Sequence, residues 1–176
     1  MVDILHNYRD FLARVDELCH RIGEEFGAHL ACGPGCSGCC RHLSLSWVEG
    51  MAISRALAML PPDEAGVIRD RARASSPDAC PLLEGDLCLL YDARPVICRT
   101  HGLPVLTVDE SGERRVDFCP RNFRDVSTLP GSAVIDLDRL NTALAAINAL
   151  FIADYFHGVP PSTDRLSLAE ALLLDR

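Results

Sequence analysis

Apolar residues recur at helical spacing from the start of the chain. Leu5, Leu12, Cys19 and Phe26 stand seven residues apart, with Tyr8, Val15 and Ile22 as a second row beside them. The two rows form one stripe and predict a helix over about Ile4 to Phe26. Cys19 lies on that stripe, where a free cysteine packs as a small hydrophobe. Ser46 and Glu49 have the capping-box spacing, and the apolar pattern behind them predicts a second helix to about Leu60, stopped by Pro61-Pro62. A polar helix follows over about Asp63 to Ser75. The period then changes. Leu82-Leu83 and Leu87 to Leu90 flank Glu84-Gly85-Asp86, which predicts a hairpin. Asp92 is placed to cap a short helix through Pro95 and Cys98. Val105 to Val108 and Arg114 to Phe118 flank a polar turn with Gly112, a second hairpin candidate. Leu137, Leu140, Leu144, Ile147, Phe151 and Tyr155 mark the buried face of a C-terminal helix that ends before Gly158 and Pro160-Pro161. Ser167 and Glu170 repeat the capping-box spacing before a last short helix.

These elements make a mainly α chain. The expected fold is a small helical domain over residues 1–176 with an irregular, hairpin-bearing, cysteine-rich metal-binding region. That region, about 32–119, is flanked by N- and C-terminal helices. No internal repeat, linker or low-complexity tract is visible.

Composition changes this picture at one point only. A chain of 176 residues with 48% hydrophobic and 24% charged residues reads as an ordinary globular protein with a core of its own. All 17 basic residues are Arg, and the net charge is -8, which leaves no electrostatic footprint for nucleic acid. Arg69, Arg71 and Arg73 alternate and so spread around their helix, as a solvated surface would. The N-terminus has no basic stretch followed by an apolar run, so no secretory signal is expected. No segment reaches the roughly 18 apolar residues of a membrane span. The expectation is a cytoplasmic protein, without nucleic-acid or membrane partners, whose thiols stay reduced. The feature that stands out is the nine cysteines. In a reducing compartment they point to metal or thiol chemistry before disulfides, and the odd count fits a closed disulfide framework poorly.

Four cysteines fall in nine residues, Cys32-Gly-Pro-Gly-Cys36-Ser-Gly-Cys39-Cys40, and the other four loop residues besides Ser37 are Gly or Pro. This is the composition of a tight, irregular loop. It has few large apolar residues to order it by burial, and a metal ion would order it instead. Cys36 and Cys39 have C-x2-C spacing, and Cys32 and Cys36 have C-x3-C spacing. Both occur in structural zinc sites and in iron–sulfur ligation, because a tight turn lets two thiolates converge on one centre. Cys39 and Cys40 are adjacent. Neighbouring residues project to different sides of an extended backbone, so the pair serves different metals, different irons of one cluster, or different jobs. Cys80, Cys88, Cys98 and Cys119 follow, spread over the hairpin region. If all converge, eight thiols fill two tetrahedral sites of four; alternatively four hold one cluster and the rest are spare or redox-active. His42 and His101 flank the candidates and could replace one thiol. Arg41, Arg94 and Arg99 stand near cysteines in sequence and could offset thiolate charge or be ordinary surface arginines. A thiol pair that closes a reversible disulfide is the competing chemistry.

Three segments together resemble the CxxCxxCC, or YkgJ-like, cysteine-cluster family, described as chelating zinc or iron. They are Cys32 to Cys40, ending in Cys-Cys; Cys80-Pro81-Leu82-Leu83 followed by Cys88-Leu89-Leu90-Tyr91; and Arg94-Pro95-Val96-Ile97-Cys98-Arg99. The resemblance covers roughly residues 32–100. It implies that Cys36, Cys39, Cys40, Cys80, Cys88 and Cys98 occupy the family's cysteine positions, with Cys32 the leading one. Cys119 lies beyond the pattern and rests on the residues alone. The implied ligand is zinc or iron, the iron as an ion or in an iron–sulfur cluster.

The candidate metal ligands are therefore Cys32, Cys36, Cys39, Cys40, Cys80, Cys88, Cys98 and Cys119. The expected function is metal binding, in metal handling or as a structural support. A metal-dependent enzyme or electron-transfer accessory is an alternative, but the chain has no HExxH, no deaminase signature, no phosphate loop and no dinucleotide fingerprint. Glu49, Glu84 and Asp86 are acids that could approach the cluster, and acids at such positions more commonly cap helices and turns. A metal-ordered module that docks a protein partner through the apolar Leu166 to Leu174 is a further alternative; packing of that segment within its own core is the plainer expectation.

Overall fold

A computed structural model of the chain describes residues 3–33, 35–109 and 111–174. The first helix, α1 (His6–Phe26), forms where the periodicity places it. Its buried residues are Tyr8, Val15 and Ile22, whereas Leu12, Cys19 and Phe26 are half-buried. The inward axis of the stripe is thus the second row. After a single 3-10 turn at Gly27–His29 the chain runs irregularly through the cysteine loop to a two-residue strand, β1 (Ser44–Leu45).

Helix α2 (Trp47–Ala58) starts on the Ser46–Glu49 capping box. Glu49 is 3% exposed. A buried carboxylate is costly unless its oxygens are hydrogen-bonded, and both are. Oε2 accepts from the Ser46 backbone N–H at 3.0 Å and from Ser46 Oγ at 2.8 Å, and Oε1 accepts from the Val96 backbone N–H at 3.2 Å. Helix α3 (Pro62–Ala74) begins one residue earlier than expected, because Pro62 occupies its first turn. Proline lacks an N–H that this position does not need, so the residue that bars further extension of α2 also opens α3.

The first hairpin is short: β2 (Leu83–Glu84) pairs antiparallel with β3 (Leu87–Cys88). Gly85 and Asp86 both have positive φ, 53° and 64°, which is the two-residue hairpin turn whose twist matches its strands. Arg71 on α3 is not the solvated residue that its alternation suggested. Its guanidinium donates to the carbonyls of Pro81 and Leu83 and pairs with Glu84, fixing the hairpin to α3. Arg73, paired with Asp70 on an exposed face, keeps the surface role. Asp92 does not cap a helix. It sits inside a 3-10 turn, Tyr91–Ala93, and helix α4 (Val96–Thr100) starts after Pro95. The residue before a proline is pushed to extended backbone, so Arg94 (ψ 137°) breaks the run.

The second hairpin pairs β4 (Val105–Val108) with β5 (Arg114–Asp117) in the expected register region. A third strand, β6 (Ile135–Asp136), adds parallel to β4 and was not expected. Helix α5 (Leu137–Tyr155) starts on Asp136, whose carboxylate accepts from the Arg139 N–H. Its buried face is narrower than the pattern suggested. Phe151 is buried; Leu140, Leu144 and Ile147 are partly buried; Tyr155 is exposed and stacks on Phe151. Strand β7 (Leu166–Ser167) pairs antiparallel with β1, and α6 (Leu168–Leu172) starts on the Ser167–Glu170 capping box.

Among the described residues, two apolar cores result. One joins α2, α3 and α6 with Leu82 and Leu90 of the first hairpin region. The other joins α1, α2 and α5 with Val96. Leu168, Ala171 and Leu172 are buried in the first and Leu166 is buried beside α2, so the C-terminal apolar segment packs within its own chain. Among the described residues, no helix is long and apolar enough to cross a membrane.

Candidate functional site

All nine cysteines are free thiols. The fold sorts the eight candidates into two neighbourhoods, with Cys39 at their margin. The first neighbourhood is built on the α2–α3–α6 core. Cys80 and Cys88 both pack against that core from the two arms of the first hairpin. The Leu83 N–H donates to the Cys80 carbonyl, and Cys88 faces Leu83 across the strands. Cys98 comes from α4, whose start Glu49 holds through Val96. Cys40 comes from the glycine-rich loop. Ser37 Oγ donates to Asp86 at the hairpin tip, and the Cys40 N–H donates to the Ser37 carbonyl, so the loop is tied alongside the hairpin. Burial pushes the Cys98 thiol up to about 12, and Cys80, Cys88 and Cys40 add to the shift. Burial likewise raises Cys40 to about 11, with Cys39, Cys80 and Cys88 adding. Cys80 is raised by burial and further by Cys88, against hydrogen bonds from the Leu82 and Leu83 backbone. Cys98 and Cys40 thus each feel Cys80 and Cys88, although they come from separate segments of chain.

The second neighbourhood has a different base. Cys32 lies in the loop after α1, and Cys119 follows β5. They meet across Gly102, where a Cβ would stand 3.0 Å from Cys32 Sγ and 3.5 Å from the Cys119 Cβ. Asn122 organises the contact. It is 1% exposed. Its Oδ1 accepts from the Ala31 N–H at 2.8 Å, and its Nδ2 donates to the Gly102 carbonyl at 2.7 Å and to Cys32 Sγ at 3.3 Å. Cys36 receives the Arg121 guanidinium at 3.4 Å. Burial raises the Cys32 thiol, the Asn122 amide opposes this, and Cys119 and Cys36 add to the rise. An aromatic group of Phe26, His29, Phe118 and Phe123 lies beside the same turn.

Cys39 is exposed, and its thiol lies against that of Cys40. Cys19 belongs to neither neighbourhood. It is half-buried on α1, and its thiol donates to the Arg99 carbonyl at 3.6 Å. His42 stands near Glu170, on the α6 side.

The three acids near the cysteines are all engaged elsewhere: Glu49 in its cap and α4, Glu84 with Arg71, Asp86 with Ser37. Arg99 is also committed. Its side chain is 8% exposed and bonds both oxygens of Asp16 and the carbonyls of Arg94 and Asp92. Arg94 lies 3.5 Å over the Tyr91 ring, donates to the Cys98 carbonyl, and eases the rise of Cys98. The residues that sequence reasoning missed are Asn122 and Arg121. They follow Cys119 directly, but no spacing rule separates such residues from ordinary loop polar groups.

Among the described residues, no three His, Cys, Asp or Glu side chains are drawn together tightly enough to hold a metal ion. An open groove of about 430 Å³ lies between β4 and α5, lined by Leu106, Arg114, Asp136 and Arg139 among others, and contains no cysteine. No protein family, curated protein or solved structure matches the chain.

Proposed function

We propose that this chain is a metal-binding protein that holds zinc or iron, the iron as an ion or a cluster, through its cysteine thiolates. The observation that carries the reading is that all nine cysteines are free thiols, four of them within the nine-residue loop and Cys80 and Cys88 packed against the α2–α3–α6 core. Four thiols are the donor set that both tetrahedral zinc and iron–sulfur centres use. The resemblance of the three cysteine segments to the CxxCxxCC family supports the same ligand chemistry. A reducing, cytoplasmic setting suits nine unpaired thiols. The metal is read as cargo or structural support and not as a catalyst; Glu49, Glu84 and Asp86 are engaged in structural contacts.

The test is metal analysis of the full chain purified under strict anaerobiosis, read beside its visible spectrum. Bound zinc, or a brown protein with iron and sulfide, is the expected result. Cys98→Ser should lose metal and keep the helical signal in circular dichroism. A fully reduced chain that retains no metal and takes up none on reconstitution overturns the reading.

A further inference from the structure

Cys32 and Cys119 are distant in sequence, and the fold brings both to one backbone position. That position is Gly102. A Cβ built there would stand 3.0 Å from Cys32 Sγ and 3.5 Å from the Cys119 Cβ, so a single methyl group would touch both cysteines. The φ of Gly102 is +91°, which residues with a side chain seldom adopt. Hydrogen bonds hold the three segments together. The Cys119 N–H donates to the Gly102 carbonyl at 3.4 Å, and the Asn122 N–H donates to the Cys119 carbonyl at 2.8 Å. The Asn122 side chain donates to the Gly102 carbonyl at 2.7 Å and accepts from the Ala31 N–H, next to Cys32, at 2.8 Å. Phe123 turns its N–H onto the His29 carbonyl at 2.8 Å. Folding has thus already met the entropic cost of bringing these two thiols together. Other thiols are engaged differently. Cys19 donates to the Arg99 carbonyl, Cys36 receives the Arg121 guanidinium, and Cys88 stands opposite Leu83 in the first hairpin.

We infer that Cys32 and Cys119 are a thiol–disulfide exchange pair, which closes into a reversible disulfide by reaction with a small disulfide oxidant such as glutathione disulfide. The pairing needs no metal and stands apart from the proposed function. A disulfide needs its two Cβ atoms about 4 Å apart; one methyl-sized position that touches the Cys32 sulfur and the Cys119 Cβ puts the pair in that neighbourhood. Cys32 is exposed and Cys119 is half-buried, so Cys32 meets the oxidant first. Its thiolate attacks one sulfur of glutathione disulfide. The bond between Cys32 and glutathione forms, the S–S bond of the oxidant breaks, and one glutathione leaves as a thiolate that takes up a proton. The Cys119 thiolate then attacks the Cys32 sulfur. The Cys32–Cys119 bond forms, and the second glutathione leaves and is protonated. The two protein thiols give up two electrons and two protons, and one oxidant molecule becomes two glutathione thiols. The Asn122 amide serves the same chemistry. Its Nδ2 donates to Cys32 Sγ at 3.3 Å, and such a donor stabilises the sulfur while it carries negative charge, as attacking group on closure and as leaving group on reduction. The closed loop runs from residue 32 to residue 119, and a cross-link over so long a loop restricts the unfolded chain strongly.

The test uses the full chain, reduced, stripped of metal with a chelator and equilibrated under argon with mixtures of reduced and oxidised glutathione. Remaining thiols are alkylated, and linked peptides are located by mass spectrometry with fragmentation. The first disulfide to form should join Cys32 to Cys119, raise the urea midpoint, and reopen with dithiothreitol. Cys119→Ser should stop at the intermediate, with glutathione accumulating on Cys32. Cys32→Ser should leave Cys119 reduced. Gly102→Ala, checked for its helical signal by circular dichroism, should lower the equilibrium constant for closure about ten-fold, because closure draws both residues tighter around the added Cβ. A first disulfide between any other two cysteines, no closure at any glutathione ratio, or a Cys119→Ser protein that closes a disulfide at Cys32 as readily as the wild type overturns the inference and leaves the proposed function standing. A chain that closes Cys32–Cys119 but takes up no metal supports the inference and overturns the proposed function alone.

Discussion

The two thiol neighbourhoods reach similar ends by different physics. Cys80 and Cys88 are positioned by apolar burial: they lie against a core that α2, α3 and α6 would form without them. Cys32 and Cys119 are positioned by hydrogen bonds, through one buried amide, one glycine and a turn with positive φ. Apolar packing is non-directional and tolerates small changes in shape, whereas a hydrogen-bonded turn depends on a few exact partners and fails when one is removed. The first group should therefore be robust to conservative changes in its surroundings, and the second should be sensitive to single substitutions.

The largest effect expected in the first region comes from the one place where it too depends on a polar group. Glu49→Ala removes the carboxylate that caps α2 and holds the start of α4, leaving the Ser46 and Val96 N–H groups without partners. It should cost about 3 kcal/mol in urea unfolding. It should also speed alkylation of Cys98 relative to Cys32. Equal acceleration of both would show that the regions are not separate.

Asn122→Ala is the counterpart in the second region. It removes the partner of the Ala31 N–H and one of two donors to the buried Gly102 carbonyl, which keeps the Cys119 N–H, and should cost about 2 kcal/mol. Here Cys32 should become the more reactive thiol and Cys98 should not change. Gly102→Ala is a sharper and smaller version. It forces a Cβ into a left-handed position against the Cys32 sulfur, with an expected cost of about 1.5 kcal/mol and the same selectivity for Cys32. A neutral result would mean that the turn relaxes freely and that hydrogen bonds do not hold this region.

Cys19 gives the smallest effect and a control for burial alone. Burial raises its thiol from the ordinary 9.0 to about 11, Asp16 adds to the rise, and Arg94 and Arg99 oppose it. The folded state keeps a proton that the unfolded chain has already lost in that interval. The stability that Cys19 contributes is therefore complete below pH 9.0 and is lost as pH rises through about 11. In metal-free protein, the difference in urea midpoint between wild type and Cys19→Ala should be constant up to pH 9.0 and narrow above it. A difference that widens with pH would reverse the sign and disprove the assignment.

Much of the helical frame was legible because it follows from local rules. The α1 stripe, the two capping boxes and the two hairpins depend on residues within a few positions of one another. The errors fall where a distant partner decides. Arg71 looked solvated until the hairpin carbonyls came to meet it. Tyr155 fitted the apolar pattern of α5, but the core narrows before it. Strands β1, β6 and β7 are two residues long and exist only through their pairing, so no periodicity announces them.

For the candidate site, the sequence by itself determined the inventory: nine cysteines, four of them in a glycine-rich loop, and the suggestion from Cys39-Cys40 that two neighbours serve different roles. Thiol chemistry is written in residue type and spacing, so it could be read without a fold. Only the tertiary structure decided the grouping. It set Cys80 and Cys88 against the α2–α3–α6 core, left Cys39 exposed, and placed Cys119 across Gly102 from Cys32 with Asn122 beside Cys32. The physical reason is separation along the chain. Cys32 and Asn122 lie 90 residues apart, and contacts at that range are set by how the helices pack and the hairpins turn, which no local pattern encodes.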